Sequence, residues 1–240
     1  MKYVIAVLIL LPLSNISFAQ FQKDSFKTSG GDLTITFIGH GTLMLEISGK
    51  VIHIDPVSMY ADYSALPKAD LVLITHQHGD HLDPAAIEKI RKNGMETVLS
   101  AVCQPKFPEG KVMKNGESGT FGGIMVEAVP AYNIKHERGP GQPFHPKGEG
   151  NGYILNFGNL RVYVAGDTEN TPEMKALKNI DVAFLPMNLP YTMTPEMVAD
   201  AAKAFQPKIL YPYHFGDTDT GKLVELLKGA KTEIRIRNLK

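Results

Sequence analysis

"LVLITHQHGDHLDP", residues 71–84, decides how this chain reads: an apolar run of strand length, then three histidines and an aspartate within positions 76–81. The whole chain has 8 histidines, so this density asks for a chemical reason. A continuous run such as "LVLI" suits a central strand buried on both faces. Asp83 then stands as an N-cap, Pro84 at the first helical position and Gly94 as the C-terminal stop of a helix over "LDPAAIEKIRKNG", 82–94. The stretch is therefore a strand, a ligand-bearing loop and a helix. Solvated polar residues capping a helix would explain Asp83 but leave the histidines unexplained.

On an extended backbone, side chains two apart share a side, so His76, His78 and Asp80 can converge. Gly79 permits a sharp turn that re-aims His81. Two imidazoles can then hold one metal while Asp80 and His81 hold a second. Nitrogen and oxygen donors without thiolate suit zinc, and also manganese or iron. Distant strand ends must supply the remaining donors. Asp167 in "VAGDTE" (164–169) is placed to bridge two ions, and His214 follows the strand in "LYPYHFGDTD" (210–219). Either alone reads as a turn residue or a satisfied polar group; beside the first cluster both read as ligands.

Working outward, strand patterns at 33–38, 42–47 and 51–55 follow a polar lead, Gln20 to Gly31, and form an antiparallel meander. Further strands are expected at 97–101, 124–129, 152–157 and 160–165, the last two joined by a Gly158-Asn159 turn. A glycine- and proline-rich loop spans Asn133 to Asn151, and loops of that length are usually functional or disordered. The final third alternates strand and helix, with Thr194 and Pro195 as another cap and first-turn pair. The expected fold class is α/β (α+β): two sheets packed face to face with helices outside, their strand-end loops meeting at one edge.

At 240 residues and 43% hydrophobic content the chain can build one sizeable core, so residues 20–240 are taken as a single domain. Lys plus Arg and Asp plus Glu number 25 each, which gives no pull towards nucleic acid or an anionic membrane and leaves a small-molecule substrate as the expected partner. "MKYVIAVLILLPLSNISFAQ" has an early lysine, an apolar run from Tyr3 to Leu13, and Ser17-x-Ala19. That pattern is a secretory signal peptide cut after Ala19. Its apolar run falls short of the ~20 residues that cross a bilayer, so export to the periplasm or beyond is expected, without a stable membrane anchor. The single cysteine, Cys103, cannot form an internal disulfide and reads as a buried apolar group.

"THQHGDH" resembles the His-x-His-x-Asp-His signature of the metallo-β-lactamase superfamily, followed in the expected order by "AGDTE" and "YPYHFG". "FIGHGTLMLEI", "IDPV" and "HPKGEGNGYIL" look most like the branch with ascorbate-6-phosphate lactonase and the N-acylphosphatidylethanolamine phospholipase D-like enzymes. The resemblance runs from about Thr34 to the C-terminus. It implies the αββα sandwich of two mixed sheets, with His76 and His78 on one metal, Asp80, His81 and His214 on the other, and Asp167 between them. The family's remaining first-metal histidine falls at Asn133, a poor zinc ligand. His136 and His145 are the substitutes; His145 is preferred because its Pro-Lys-Gly-Glu-Gly setting reads as a fixed turn, while a site short of one ligand beside Asn133 stays open. By the same resemblance His40 in "GHGT" touches the metal shell or the substrate, and Asp55 hydrogen-bonds a ligand imidazole. His53 reads as a strand-face residue.

Two divalent ions sharing a carboxylate lower the pKa of a bridging water towards ~7 and polarise the oxygen under attack. Hydrolysis by a metal-bridging hydroxide is the expected chemistry, with Asp80 also orienting the hydroxide and shuttling a proton. A lactone or other ester-type bond is the expected target and a phosphodiester the alternative. β-Lactams fit less well, because His81 follows the signature aspartate and Cys103 lies in the wrong segment. "LPMNLPYTMTPE" and "HERGPGQPFHP" frame the pocket, and Arg138 or Lys147 could meet an anionic group. A non-catalytic periplasmic metal- or partner-binding protein is the competing reading, supported by Asn133. Iron-dependent oxygen reduction is third, since this chain has no added flavin domain.

Overall fold

The structure is a computed structural model that describes residues 21–240; the expected leader, 1–19, lies outside the described residues. The first half of the chain forms β1 (Lys23–Thr28), β2 (Gly31–Gly39), β3 (Thr42–Ile47), β4 (Lys50–Ile54), β5 (Leu71–Ile74), α1 (Pro84–Lys89), β6 (Glu96–Leu99) and β7 (Lys111–Val112). These strands make one seven-stranded sheet in sequence order. β1 to β4 pair antiparallel and β4 to β7 parallel, so the sheet is mixed.

The second half forms β8 (Ser118–Phe121), β9 (Ile124–Ala131), β10 (Glu137–Gly139), β11 (Gln142–Pro143), β12 (Gly150–Phe157), β13 (Leu160–Val164), α2 (Pro172–Lys175), β14 (Val182–Pro186), α3 (Pro195–Phe205), β15 (Ile209–Tyr213), α4 (Thr220–Leu226) and β16 (Glu233–Ile234). Its seven-stranded sheet runs β16-β15-β14-β13-β12-β9-β8, parallel from β13 to β16 and antiparallel elsewhere. The two mixed sheets are the architecture the sequence predicts.

Alternation along β5 shows what each face does. Leu71 and Leu73 join the inter-sheet core with Ile35, Leu45, Tyr153, Leu155 and Phe184. Val72 and Ile74 face the other way, packing with Ala86, Ile87 and Ile90 around α1. Burial on both faces is why this strand reads as a continuous apolar run. Across the second sheet the Tyr163 ring meets Phe205 of α3 edge-on at 6.2 Å. The two sheets are also tied at one rim, where Asn151 N donates to Thr75 O (2.9 Å) and the Tyr153 hydroxyl to Ile74 O (2.8 Å).

Three local expectations need correction. The polar lead contains β1, an edge strand whose Asp24 accepts two bonds from Arg237 (2.7 and 2.8 Å) and whose Phe26 packs on the core. α1 ends at Lys89, and Gly94 (φ 80°) serves a later turn. The 133–151 loop holds the small β10–β11 pair. The sharp turn expected at Gly79 is present and does re-aim His81: His81 N and Leu82 N close on His78 O at 3.1 and 2.8 Å around it.

Candidate metal centre

Every donor at the rim except His145 follows the end of a strand. His76, His78, Asp80 and His81 follow β5, Asp167 follows β13, His214 follows β15, and His145 lies on the loop that returns into β12. Carboxyl ends of parallel strands are the usual site position in open α/β sheets. Two donor groups result. His76, His78, His145 and Asp167 form one; His40, Asp80, His81 and His214 form the other; within each, one ligand atom per residue lies within 4.8 Å of every other.

Asp167 reaches both. Its Oδ2 is 3.3 Å from His145 Nε2, 3.3 Å from His214 Nε2 and 3.9 Å from His76 Nε2, while Oδ1 is 3.4 Å from His81 Nε2. Asp80 Oδ2 lies 3.3 Å from His40 Nε2, 3.6 Å from His214 Nε2 and 3.9 Å from His81 Nε2.

Except at His214, whose Nδ1 has no partner, the ring nitrogens facing away from the centre are pinned, which fixes the tautomer of those ligands. Asp55, fully buried, accepts from Thr75 N (2.8 Å), Thr75 Oγ1 (2.7 Å) and His81 Nδ1 (2.8 Å). The Thr75 hydroxyl, having given its proton to Asp55, accepts from His76 Nδ1 at 3.0 Å. His145 Nδ1 donates to Asn133 Oδ1 (2.8 Å) and His40 Nδ1 to Lys240 O (3.1 Å). Each leaves its Nε2 lone pair turned inward. His78 is reversed, with Nδ1 close to His76 Nε2 (2.9 Å) and His145 Nε2 (3.2 Å).

Such a set is made for a cation. His81 Nε2, His214 Nε2 and Asp167 Oδ1 are buried without a hydrogen-bond partner, a costly condition unless something positive sits among them. Electrostatics agree. Desolvation works against charge on Asp167, yet His214, His81 and His145 hold its carboxyl well below the usual range. Against desolvation, Asp167 and Asp80 push His214 up to about 10, and Asp167 and Asp55 hold His81 up. Desolvation and the His145 imidazole push His78 down to about 4. Protons on His81 and His214 and a metal cation are competing ways of neutralising the two carboxylates.

Backbone strain gathers at the same place. His40 (φ 52°), Asp55 (φ 46°) and His214 (φ 49°) all occupy the left-handed region, which costs about 1–3 kcal/mol each for such residues and clusters at functional sites. Gly41 has its own constraint, since a Cβ there would lie 2.7 Å from His81 Cε1.

The structure thus brings together His76, His78, Asp80, His81, His145, Asp167 and His214, and adds His40 to their circle. Asn133 faces His145 rather than the centre. His136 stays outside, its Nδ1 2.8 Å from Glu169 Oε1. Lys147 is drawn away to Glu173 (2.9 Å). A cavity of about 290 Å³ opens over the donors, walled by His40, His78, Arg138, Asn188 and Tyr191. Sequence reasoning missed Thr75, Glu169 and Lys240; Thr75 directly precedes the signature, while the Lys240 contact spans 200 positions and leaves no local trace.

Comparison with known proteins gives the same direction. The family described as the β-lactamase superfamily domain matches residues 34–214. A UPF0173 metal-dependent hydrolase of Koribacter versatilis is 35% identical over 216 residues, covering 82% of this chain and 91% of its own. One from Pelotomaculum thermopropionicum is 30% identical over 206 residues, covering 80% and 87%. A crystal structure from Parabacteroides distasonis, described as a metal-dependent hydrolase, superposes with a TM-score of 0.88 at 55% identity, over 92% of this chain and all (100%) of that one. A metallo hydrolase from Ignicoccus hospitalis, 24% identical, shares the fold with a TM-score of 0.69 over 86% of this chain and 95% of its own. These descriptions specify no substrate.

Proposed function

This chain belongs to the UPF0173 metal-dependent hydrolase family of the metallo-β-lactamase superfamily, and from that premise we propose that it is an exported binuclear enzyme cleaving a lactone or other ester-type bond in a small anionic substrate. The observation that carries the reading is Asp167, whose two oxygens touch donors of both clusters. His76, His78 and His145 would hold one divalent ion and Asp80, His81 and His214 the other, with zinc the best match to the donors and manganese or iron close behind. Bound there, the two ions supply an acidified water and a Lewis acid for the attacked oxygen.

The remaining work falls to the chain's own groups. Asp80 is the carboxylate with an open edge, 39% exposed against 4% for Asp167. It orients the attacking water, takes its proton and returns it to the leaving group. His40 Nε2 lies 3.3 Å from Asp80 Oδ2 and faces the same half-site. The Asn188 and Tyr191 wall limits water and substrate size. Among the described residues Arg138 has no carboxylate partner; its guanidinium lies 5.2 Å over the Phe144 ring and 3.3 Å from His78 Nε2, at the cavity wall. That free cation supports an anionic substrate, and it also supports a phosphodiester as the alternative target.

Metal per chain by plasma mass spectrometry, on protein purified without chelators or a histidine tag, tests the reading. Two equivalents are expected, followed by turnover of anionic lactones or aryl esters faster than of bis(4-nitrophenyl) phosphate. The reverse preference would move the enzyme to phosphodiesters. No bound metal after addition of zinc, manganese or iron would replace the enzyme with a binding protein. Export is checked by finding the mature N-terminus at Gln20.

A further inference from the structure

Glu169 is a carboxylate with 0% exposure that belongs to neither donor cluster. Its oxygens are occupied by one segment of chain. Oε2 accepts from Ile134 N (3.0 Å) and Lys135 N (2.9 Å), and Oε1 accepts from His136 N (2.7 Å) and Asn133 Nδ2 (3.2 Å). Glu169 N closes the connection by donating to Tyr132 O at 2.9 Å. Three consecutive backbone N–H groups directed at one buried carboxylate fix a loop far more tightly than its surface position requires.

That loop carries Asn133, whose side chain is fully used. Oδ1 accepts from His145 N and His145 Nδ1, both at 2.8 Å, and Nδ2 donates to Glu169 and to Tyr191 O (2.9 Å). An amide can turn either end towards a histidine. With Glu169 and a carbonyl taking both N–H protons, only the oxygen is left for His145. His145 must then carry its proton on Nδ1, so the Nε2 lone pair faces His76, His78 and Asp167.

We propose that Glu169 is a positioning residue for the first half-site: through the Asn133 amide it selects the His145 tautomer and holds that ring opposite Asp167. The proposal rests on the binuclear reading above. It also gives a use to asparagine at the position where a ligand histidine was expected: Asn133 fixes the imidazole that stands in. Because Glu169 lies two residues after Asp167, the same short segment sets the bridging carboxylate and the third nitrogen donor of the half-site.

The test is metal titration of the full chain with zinc in competition with a chromophoric chelator. Wild type must first bind two equivalents; fewer would be a failure of the binuclear reading, separate from this one. Given two, Glu169→Gln is expected to weaken one site by about 10- to 100-fold and leave the Asp80–His81–His214 site unchanged. Asn133→Ala, which leaves the Glu169 bonds to the loop backbone in place, is expected to weaken the same site, and keeps the test open if Glu169→Gln does not fold. The ring-nitrogen chemical shifts of His145 in the metal-free protein read the tautomer directly, with the proton held on Nδ1 in the wild type and released from that nitrogen in Asn133→Ala, which removes its acceptor. Unchanged affinity in both single variants would overturn the proposal. Equal weakening of both sites, or a His145 tautomer that is unchanged in both variants, would reduce Glu169 to a loop anchor and overturn it as well.

Discussion

Asp55→Asn is the sharpest perturbation of the centre that touches no donor. Asparagine tolerates the left-handed backbone of position 55 (φ 46°), so the main chain has no reason to move. Asn Oδ1 can still accept from Thr75 N, now at 2.8 Å from Asp55 Oδ1. The amide NH2 replaces Oδ2, which accepts from Thr75 Oγ1 (2.7 Å) and His81 Nδ1 (2.8 Å). His81 must then turn an unprotonated Nδ1 to the amide and place its proton on Nε2, towards Asp167. The Thr75 hydroxyl, now an acceptor, sends its proton to His76 Nδ1 at 3.0 Å, and His76 Nε2 becomes protonated too. One inward lone pair is lost from each cluster. Losing an outer hydrogen-bond partner of a metal ligand costs about 10- to 100-fold in affinity, or ~1.4–2.8 kcal/mol per site at 1.4 kcal/mol per tenfold. A buried hydrogen bond to a charged group, at about 1.5–3 kcal/mol, gives the same scale independently. Chelator competition should therefore show both zinc affinities falling together. If both stay within about threefold of wild type in a folded variant, Asp55 does not set the tautomers and the reasoning fails.

Gly41→Ala should deplete the half-site of His81: the new Cβ sits 2.7 Å from Cε1 and 3.1 Å from Nδ1 of a ring that Asp55 prevents from retreating. A loss of about 1–3 kcal/mol in stability is expected from the overpacking, read by thermal melting, with metal content reporting the site. Zinc affinity should climb with pH. His214, pushed up to about 10, is protonated at neutral pH and must release that proton to bind, so affinity rises by about tenfold per pH unit below that value; a flat profile between about pH 6 and 9 would contradict it. Away from the centre, desolvation works against charge on Asp24, but Arg237, Tyr211 and Arg235 outweigh it and hold its carboxyl below the usual value. A lowered folded pKa means stability that is present above the unfolded pKa of ~3.9 and lost as pH falls through the folded value. Asp24→Asn should flatten the acid limb of a denaturation series, and an unchanged slope would count against the pairing.

How much of this was legible depended on how local each cause is. Alternation in β2 and β3, and the unbroken apolar run of β5, are properties of a few adjacent residues, so those strands could be read directly. β1 could not, because its stabilising partner for Asp24 lies 213 positions away at Arg237. The signature donors announce themselves by density, and Asp167 and His214 by following strands. His145 could be preferred over His136 on its turn-like setting, but no local pattern says that Glu169 draws the intervening backbone inward and leaves His136 outside.

His40 shows the same limit at the centre itself. Two flanking glycines suggested a close approach, yet what brings Nε2 to 3.3 Å from Asp80 is a φ of 52° together with the Lys240 carbonyl. The donors also come from both sheets: His76, His78, Asp80 and His81 from the first, Asp167, His145 and His214 from the second. Between those two groups stand mutual repulsions among imidazoles and only two shared carboxylates. A cation held there closes the rim across both sheets, so affinity for metal and stability of that rim are one quantity measured in two ways.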